Sequence, residues 1–177
     1  MSDDSKGCCC SGSSCCSPVS EIKSVKRQLV IDFLYLDLSV CAPCQGTNEV
    51  LEEAISDVSK VFEATNVEVT INKVNITNEK QAIKYQFESS PTIRINSRDI
   101  QLDIRESSCS TCSDLSGVET DCRVWMYQGE EYNVPPKAMI IDAILKEVYG
   151  NNTEIAENKI YTVPDNLKRF FKALEQK

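Results

Sequence analysis

Cys41 and Cys44 stand three residues apart in "SVCAPCQGTNEVLEEA", immediately ahead of a segment with helical apolar spacing. A thiolate at a helix start is stabilised by unpaired backbone N–H groups and the positive end of the helix dipole, so such a cysteine ionises readily. Two intervening residues keep the sulfurs close enough to close a disulfide, and Pro43 suits a first helical turn, where its missing N–H is not needed. The leading expectation is thiol–disulfide exchange, with Cys41 as the exposed attacking thiol and Cys44 resolving the mixed disulfide. The pair also fits two other readings: ligands for a soft metal or metalloid ion, or an inert remnant.

Three further cysteines, Cys109, Cys112 and Cys122, lie in "SSCSTCSDLSGVETDCRVW". Their C-x2-C-x9-C spacing suits thiolate ligation, but structural zinc takes four ligands and only three are local. Three thiolates alone suit a soft ion such as As(III) or Hg(II). Alternatively, Cys109 and Cys112 form a second redox pair, or the loop is merely stapled. Five more, Cys8, Cys9, Cys10, Cys15 and Cys16, crowd the first 20 residues. Adjacent cysteines bridge one another poorly, so their density favours capture of a thiophilic ion and its transfer to a fixed site.

Histidine is absent. A metal site must therefore rest on thiolates and carboxylates, and Ser–His or Cys–His hydrolysis is excluded. A formal charge of −8 argues against nucleic acid or anionic membrane as a partner. No apolar run approaches the ~20 residues of a membrane span, and no secretory leader is legible. A cytoplasmic location follows as an expectation, and there cysteine clusters serve metals or redox chemistry more often than structural disulfides.

The elements that must position these thiols follow from periodicity. Residues 1–20 lack aliphatic pattern and read as a flexible cysteine-rich arm. "LVIDFLYL" is a strand; Val50, Leu51, Ala54, Ile55, Val58, Val61 and Phe62 line one face of a long helix; "VEVTI" alternates as a second strand. Thr77 is placed to cap a short helix with Ala82, Ile83 and Phe87 inward. Ile93 and Ile95, then Ile100, Leu102 and Ile104, alternate as a hairpin about Asn96–Asp99, and "RVWMYQGEEYNV" reads as another, with Trp125 and Tyr127 packing on one face. A helix with Ala138, Ile141, Ile144, Leu145 and Val148 inside follows. Leu167, Phe170, Phe171 and Leu174 recur helically in the tail. The order is β-α-β-α-β-β-α, an α/β class. The domain spans 21–150, with residues 105–135 as a cysteine-containing insert before the last core helix, and 151–177 form a helical tail packed on it.

Strand, cysteine pair, helix, strand, helix, then "SSPTIRI" entering a hairpin resembles the thioredoxin fold over roughly 29–104 and 136–149. "CAPC" is similar to that family's active-site C-x-P-C, and Pro91 stands where the family keeps a cis-proline. The chain also resembles a family of small prokaryotic thioredoxin-like proteins with extra cysteines between the final hairpin strand and the last helix; that likeness implies a fold and no reaction. The thioredoxin resemblance implies a mixed central sheet, a catalytic role for Cys41, Cys44 and Pro91, and a Ser90 backbone open to a bound thiol substrate. It also implies that residues 105–135 leave the sheet beside Cys41, as a lid able to share a ligand with the CAPC pair. Val40 replaces the family's tryptophan, and Asp32 matches its buried aspartate only locally, since the loop from it to Cys41 is longer.

The expectations therefore run in order. First is an oxidoreductase-like protein needing no cofactor, whose partner is a thiol or disulfide protein. Second is a binder or chaperone of Zn(II), As(III) or Hg(II), using Cys109, Cys112 and Cys122, with the arm cysteines joining them. Third is an inert thioredoxin-like scaffold with structural zinc. A monomer or weak dimer is expected in each case.

Overall fold

β1 (Arg27–Tyr35) lies inside the sheet, with Leu29, Ile31 and Phe33 buried in one core and Leu34 in another. In the computed structural model, which describes residues 26–150 and 160–176, β1 pairs in parallel with β2 (Val67–Asn75) and antiparallel with β3 (Thr92–Ile95), which pairs with β4 (Arg98–Asp99). The sheet order is β2-β1-β3-β4. Helix α1 (Ala42–Ala64) makes the crossover between β1 and β2, and α2 (Glu79–Tyr85) leads into β3. This mixed α/β arrangement is loosely thioredoxin-like. The expected arm, with Cys8, Cys9, Cys10, Cys15 and Cys16, lies outside the described residues.

A second sheet follows. β5 (Arg105–Ser108), β6 (Asp121–Tyr127) and β7 (Glu130–Tyr132) pair antiparallel in that order, and α3 (Ser110–Ser116) joins β5 to β6. α4 (Lys137–Tyr149) then packs against α1, and α5 (Asp165–Glu175) packs against α2 and α3. Among the described residues, no helix is long and apolar enough to cross a membrane.

Two apolar cores result. The first joins β1 and β3 to α1 and α4 through Phe33, Leu51, Val58, Ile93, Trp125 and Ile144. The second gathers Leu34, Ile76, Phe87, Leu167, Phe170 and Phe171 around five cysteines. Each buried large side chain contributes about 1.5–3 kcal/mol by leaving water.

Several local expectations are corrected. Val61 and Ile83 are exposed rather than inward. The cap of α2 is Asn78, whose Oδ1 accepts from Gln81 N–H, while Thr77 N–H donates to Gln81 Oε1. In α4 the most buried residues are Met139, Ile140 and Ile144, with Ile141 and Val148 packed beside them as expected, whereas Ala138 is exposed. The alternating stretch Ile100–Ile104 does not extend the first hairpin, and Leu102 is 73% exposed.

Arg123 explains that last departure. Its guanidinium is fully buried; Nη1 donates to Asp99 Oδ2 (2.8 Å) and Thr92 Oγ1 (2.9 Å), and Nη2 donates to Asp99 Oδ1 (2.7 Å) and the Gln101 carbonyl (2.6 Å). The chain after Asp99 turns away from β3 to supply that carbonyl, and Gln101 Nε2 donates to the Val124 carbonyl of β6. Arg123 also lies over the Trp125 ring, 4.6 Å from its centroid. The two sheets are thus fastened by one enclosed ion pair. Removing one partner of such a pair leaves a buried charge uncompensated. Asp99→Asn is therefore expected to cost about 3–5 kcal/mol in denaturant unfolding. Asp103→Asn, at an exposed Arg105 pair, is expected to cost within about 0.5 kcal/mol.

Candidate metal centre

Both C-x2-C motifs straddle a helix start. Cys41 is the N-cap residue of α1 and Cys109 that of α3; each has extended backbone geometry and neither side chain caps its own helix. Their sulfurs are instead free to meet. Cys44 and Cys112 sit one turn inside their helices, and Cys122 comes from β6, opposite Ser107 of β5.

The structure brings Cys41, Cys109, Cys112 and Cys122 into one group, with all four Sγ atoms within 4.8 Å of one another. Cys112 and Cys122 Sγ are 3.4 Å apart, well beyond a disulfide bond length. Cys41 and Cys112 are 0% exposed, Cys122 3% and Cys109 5%. Cys41 is thus enclosed rather than exposed, because α3 and β6 of the insert close over it.

Cys44 lies outside this group of four, although its sulfur reaches that of Cys41. Its sulfur is 3.4 Å from Ser90 Oγ and is reached by the Asp37 backbone N–H, so it faces the ends of the central strands. Ser90 Oγ also accepts from Leu36 N–H at 3.1 Å. The Ser90–Pro91 peptide is cis. The Ser90 carbonyl, expected to be open to a thiol substrate, instead accepts the Arg123 N–H at 2.7 Å. Strand β6 occupies that docking edge.

Surrounding bonds fix the ligand-bearing loops. Asp37 Oδ1 accepts from the backbone N–H groups of Ser39 and Val40, both at 2.7 Å, just before Cys41. Gln45 Nε2 donates to the Leu38 and Ser39 carbonyls. Cys109 N–H donates to the Thr120 carbonyl. Asn166 of α5 grips the Asp121 backbone through both its amide atoms, each at 3.0 Å, one residue from Cys122. Gly46 admits the Val134 side chain, which a Cβ would meet at 2.7 Å, and so lets the bend between β7 and α4 lie against α1. Asp32 instead accepts from Asn72, its register partner on the adjacent strand β2.

The electrostatics are those of crowded thiols in a dry pocket. Cys41 is held far below the ordinary thiol range because Cys109, then Cys112, Cys122 and Cys44, can donate to its thiolate. Cys109 is lowered to about 6, chiefly by Cys112. Cys112 and Cys122 are pushed up, each chiefly by Cys109, and Cys44 chiefly by Cys41. Further thiolates would repel at these separations in a medium that solvates them poorly. A cation allows all four to ionise.

The donor set fits a tetrahedral ion. A Zn–S bond of about 2.3 Å implies S···S separations of about 3.8 Å in a regular tetrahedron, within the spread of these sulfurs. The fourth ligand missing from the local spacing of the insert is Cys41, 68 positions before Cys109 in the sequence. The sequence did not reveal Arg123 or Asn166, and it pointed to Ser90 for its backbone rather than for the hydroxyl that meets Cys44. Only Asp37, in "DLSV", had a legible signature, that of an Asx turn.

The chain belongs to the family defined by the domain of unknown function DUF2703, whose profile matches residues 29–144 and so spans all five described cysteines. Comparison with curated proteins and with solved structures returned no match.

Ser90 holds the base of the centre through Leu36 N–H and Cys44. Ser90→Ala strands that buried N–H and is expected to cost about 1–3 kcal/mol in equilibrium unfolding; an unchanged midpoint would show that water replaces the hydroxyl.

Proposed function

We propose that this DUF2703-family protein binds a thiophilic ion, of the Zn(II) type, through the thiolates of Cys41, Cys109, Cys112 and Cys122. The observation that carries the reading is the convergence of four buried sulfurs from three separate elements within 4.8 Å. Closed sets of four cysteines serve as tetrahedral sites, and soft thiolate donors select Zn(II) and similar ions over hard cations. Four protein ligands leave no open position for substrate, which favours holding an ion over catalysis on it. Trigonal As(III) or Hg(II), the natural fit to three local cysteines, is less well supported once Cys41 joins the set.

In this reading the chain's own residues do the following. Cys41 and Cys109 present thiolates from the starts of two helices, where the neighbouring thiols donate to them. Cys112 and Cys122 surrender their protons as the ion enters, so binding releases protons. The Phe170 and Phe171 side of α5 keeps water from the sulfurs. Arg123 holds β6, and with it Cys122, against the Ser90 edge.

The C-x-P-C pair beside a cis-proline still favours thiol–disulfide exchange as a second reading. Enclosure of Cys41 and occupation of the Ser90 carbonyl count against a protein thiol reaching it.

Titration of the reduced chain with Zn(II) or Cd(II) is expected to show one equivalent bound. Serine at Cys41, Cys109, Cys112 or Cys122 is expected to lower affinity by more than about a hundredfold, the upper range for loss of a mere supporting contact. Cys44→Ser is expected to leave affinity within about tenfold. Because the ligands are deprotonated when bound, affinity is expected to fall as pH falls, with protons released on binding at neutral pH. A wild-type chain that reduces protein disulfides, binds no ion and loses that activity in Cys41→Ser would establish the second reading instead.

A further inference from the structure

We infer that a cleft beside the four sulfurs is the ligand-exchange port of the centre, where an incoming thiolate displaces Cys109 from the bound ion. The inference rests on the ion-binding reading and adds how the ion arrives and leaves.

The cleft has a volume of about 190 Å³ and is bordered by Pro43, Ser108, Cys109, Ser110, Thr111 and Cys122, among others. That is room for about six waters, the size of one cysteinyl side chain or a small free thiol. Its hydroxyl-rich wall suits a polar thiol rather than an apolar ligand. Of the four sulfur-bearing residues, only Cys109 and Cys122 border it; Cys41 and Cys112 are wholly enclosed.

Between those two, the anchoring differs. Cys122 lies within β6, paired to β5, with Asn166 gripping the residue before it and Arg123 locked behind it. Cys109 stands at the junction of β5 with the seven-residue helix α3. Its Sγ is 3.4 Å from Thr111 Oγ1, which borders the same cleft and can donate to a departing thiolate. Cys109 is therefore the ligand that can leave toward solvent.

The exchange balances without an oxidant. The ion–sulfur bond to Cys109 breaks, a bond to the incoming sulfur forms, and the proton of the incoming thiol ends on Cys109 Sγ. No electrons move.

Two sources can supply the same chemistry: the chain's own Cys8, Cys9, Cys10, Cys15 and Cys16, or a free thiol. Reach does not exclude the first. Cys8 is 18 positions before Lys26, a fully extended span of up to ~60 Å. The nine residues of β1, with Cys41 beyond their far end, cover only ~30 Å.

The test follows transfer of Zn(II) from the loaded full-length chain to a chromophoric chelator by stopped flow, with and without added free cysteine. Serine at all five arm positions is expected to slow transfer at least about tenfold, and added cysteine to restore it. Ser110→Trp, which fills the cleft from an exposed position, is expected to slow both routes at least about tenfold with one Zn(II) still bound. If the five-serine chain transfers like wild type while Ser110→Trp blocks acceleration by free cysteine, the port stands and serves free thiols. Transfer equally fast in all three loaded chains overturns the port. Failure of the wild type to bind Zn(II) overturns the ion-binding reading, and the port with it. Alkylation of the loaded wild type gives a check without variants: Cys109 is expected to be modified first of the four ligands, and Cys122, Cys41 or Cys112 reacting first overturns the assignment.

Discussion

The buried Arg123–Asp99 pair is the contact on which the arrangement depends. Arg123 belongs to the second sheet and Asp99 to the first; three of the four hydrogen bonds of the guanidinium cross between them, and the fourth holds the Gln101 carbonyl in the loop that joins them. The Arg123 backbone N–H completes the attachment at Ser90. Cys122 is the adjacent residue on the strand, so the same anchor that joins the sheets sets the position of one sulfur. An ion pair in such a place contributes little net stability against a well-packed apolar substitute, but it tolerates no loss of one partner. The contacts it makes join the strand that carries Cys122 to the edge of the first sheet.

With the insert placed, crowded thiols become a chemical problem that the fold does not solve alone. Four sulfurs within 4.8 Å and nearly sealed from water cannot all be thiolates without a positive charge among them. Protonated, they must share weak S–H bonds in an otherwise apolar core. Either state is less favourable than four thiolates around a soft cation, and in such sites ion binding and folding stability become one free energy. The helix starts at Cys41 and Cys109 and the aromatic cover from α5 are consistent with this use.

Much of the scaffold was legible because periodicity reports burial. The strand at 29–35, the long helix after Cys44 and the amphipathic tail all followed from which residues recur at two or at three and four positions. The cysteine spacing named the chemistry but left its partners open, since Cys41 and Cys109 are distant in sequence and join only through the topology of the insert. The errors have the same origin. Ile100, Leu102 and Ile104 alternate as a strand would, yet the backbone there is committed to Arg123 and Gln101, and no local pattern encodes a contact made across 22 residues. Helix α3 was missed because seven residues rich in serine carry too little apolar signal. Enclosure of Cys41 was hidden for the complementary reason: a helix-start thiol looks exposed until the element covering it is known.

The most direct test of the account is X-ray absorption at the metal edge of the reduced, Zn(II)-loaded chain. Four sulfur neighbours at about 2.3 Å, with no light-atom neighbour in the first shell, are the predicted result. A first shell containing oxygen or nitrogen, or three sulfurs rather than four, would contradict the tetrathiolate centre.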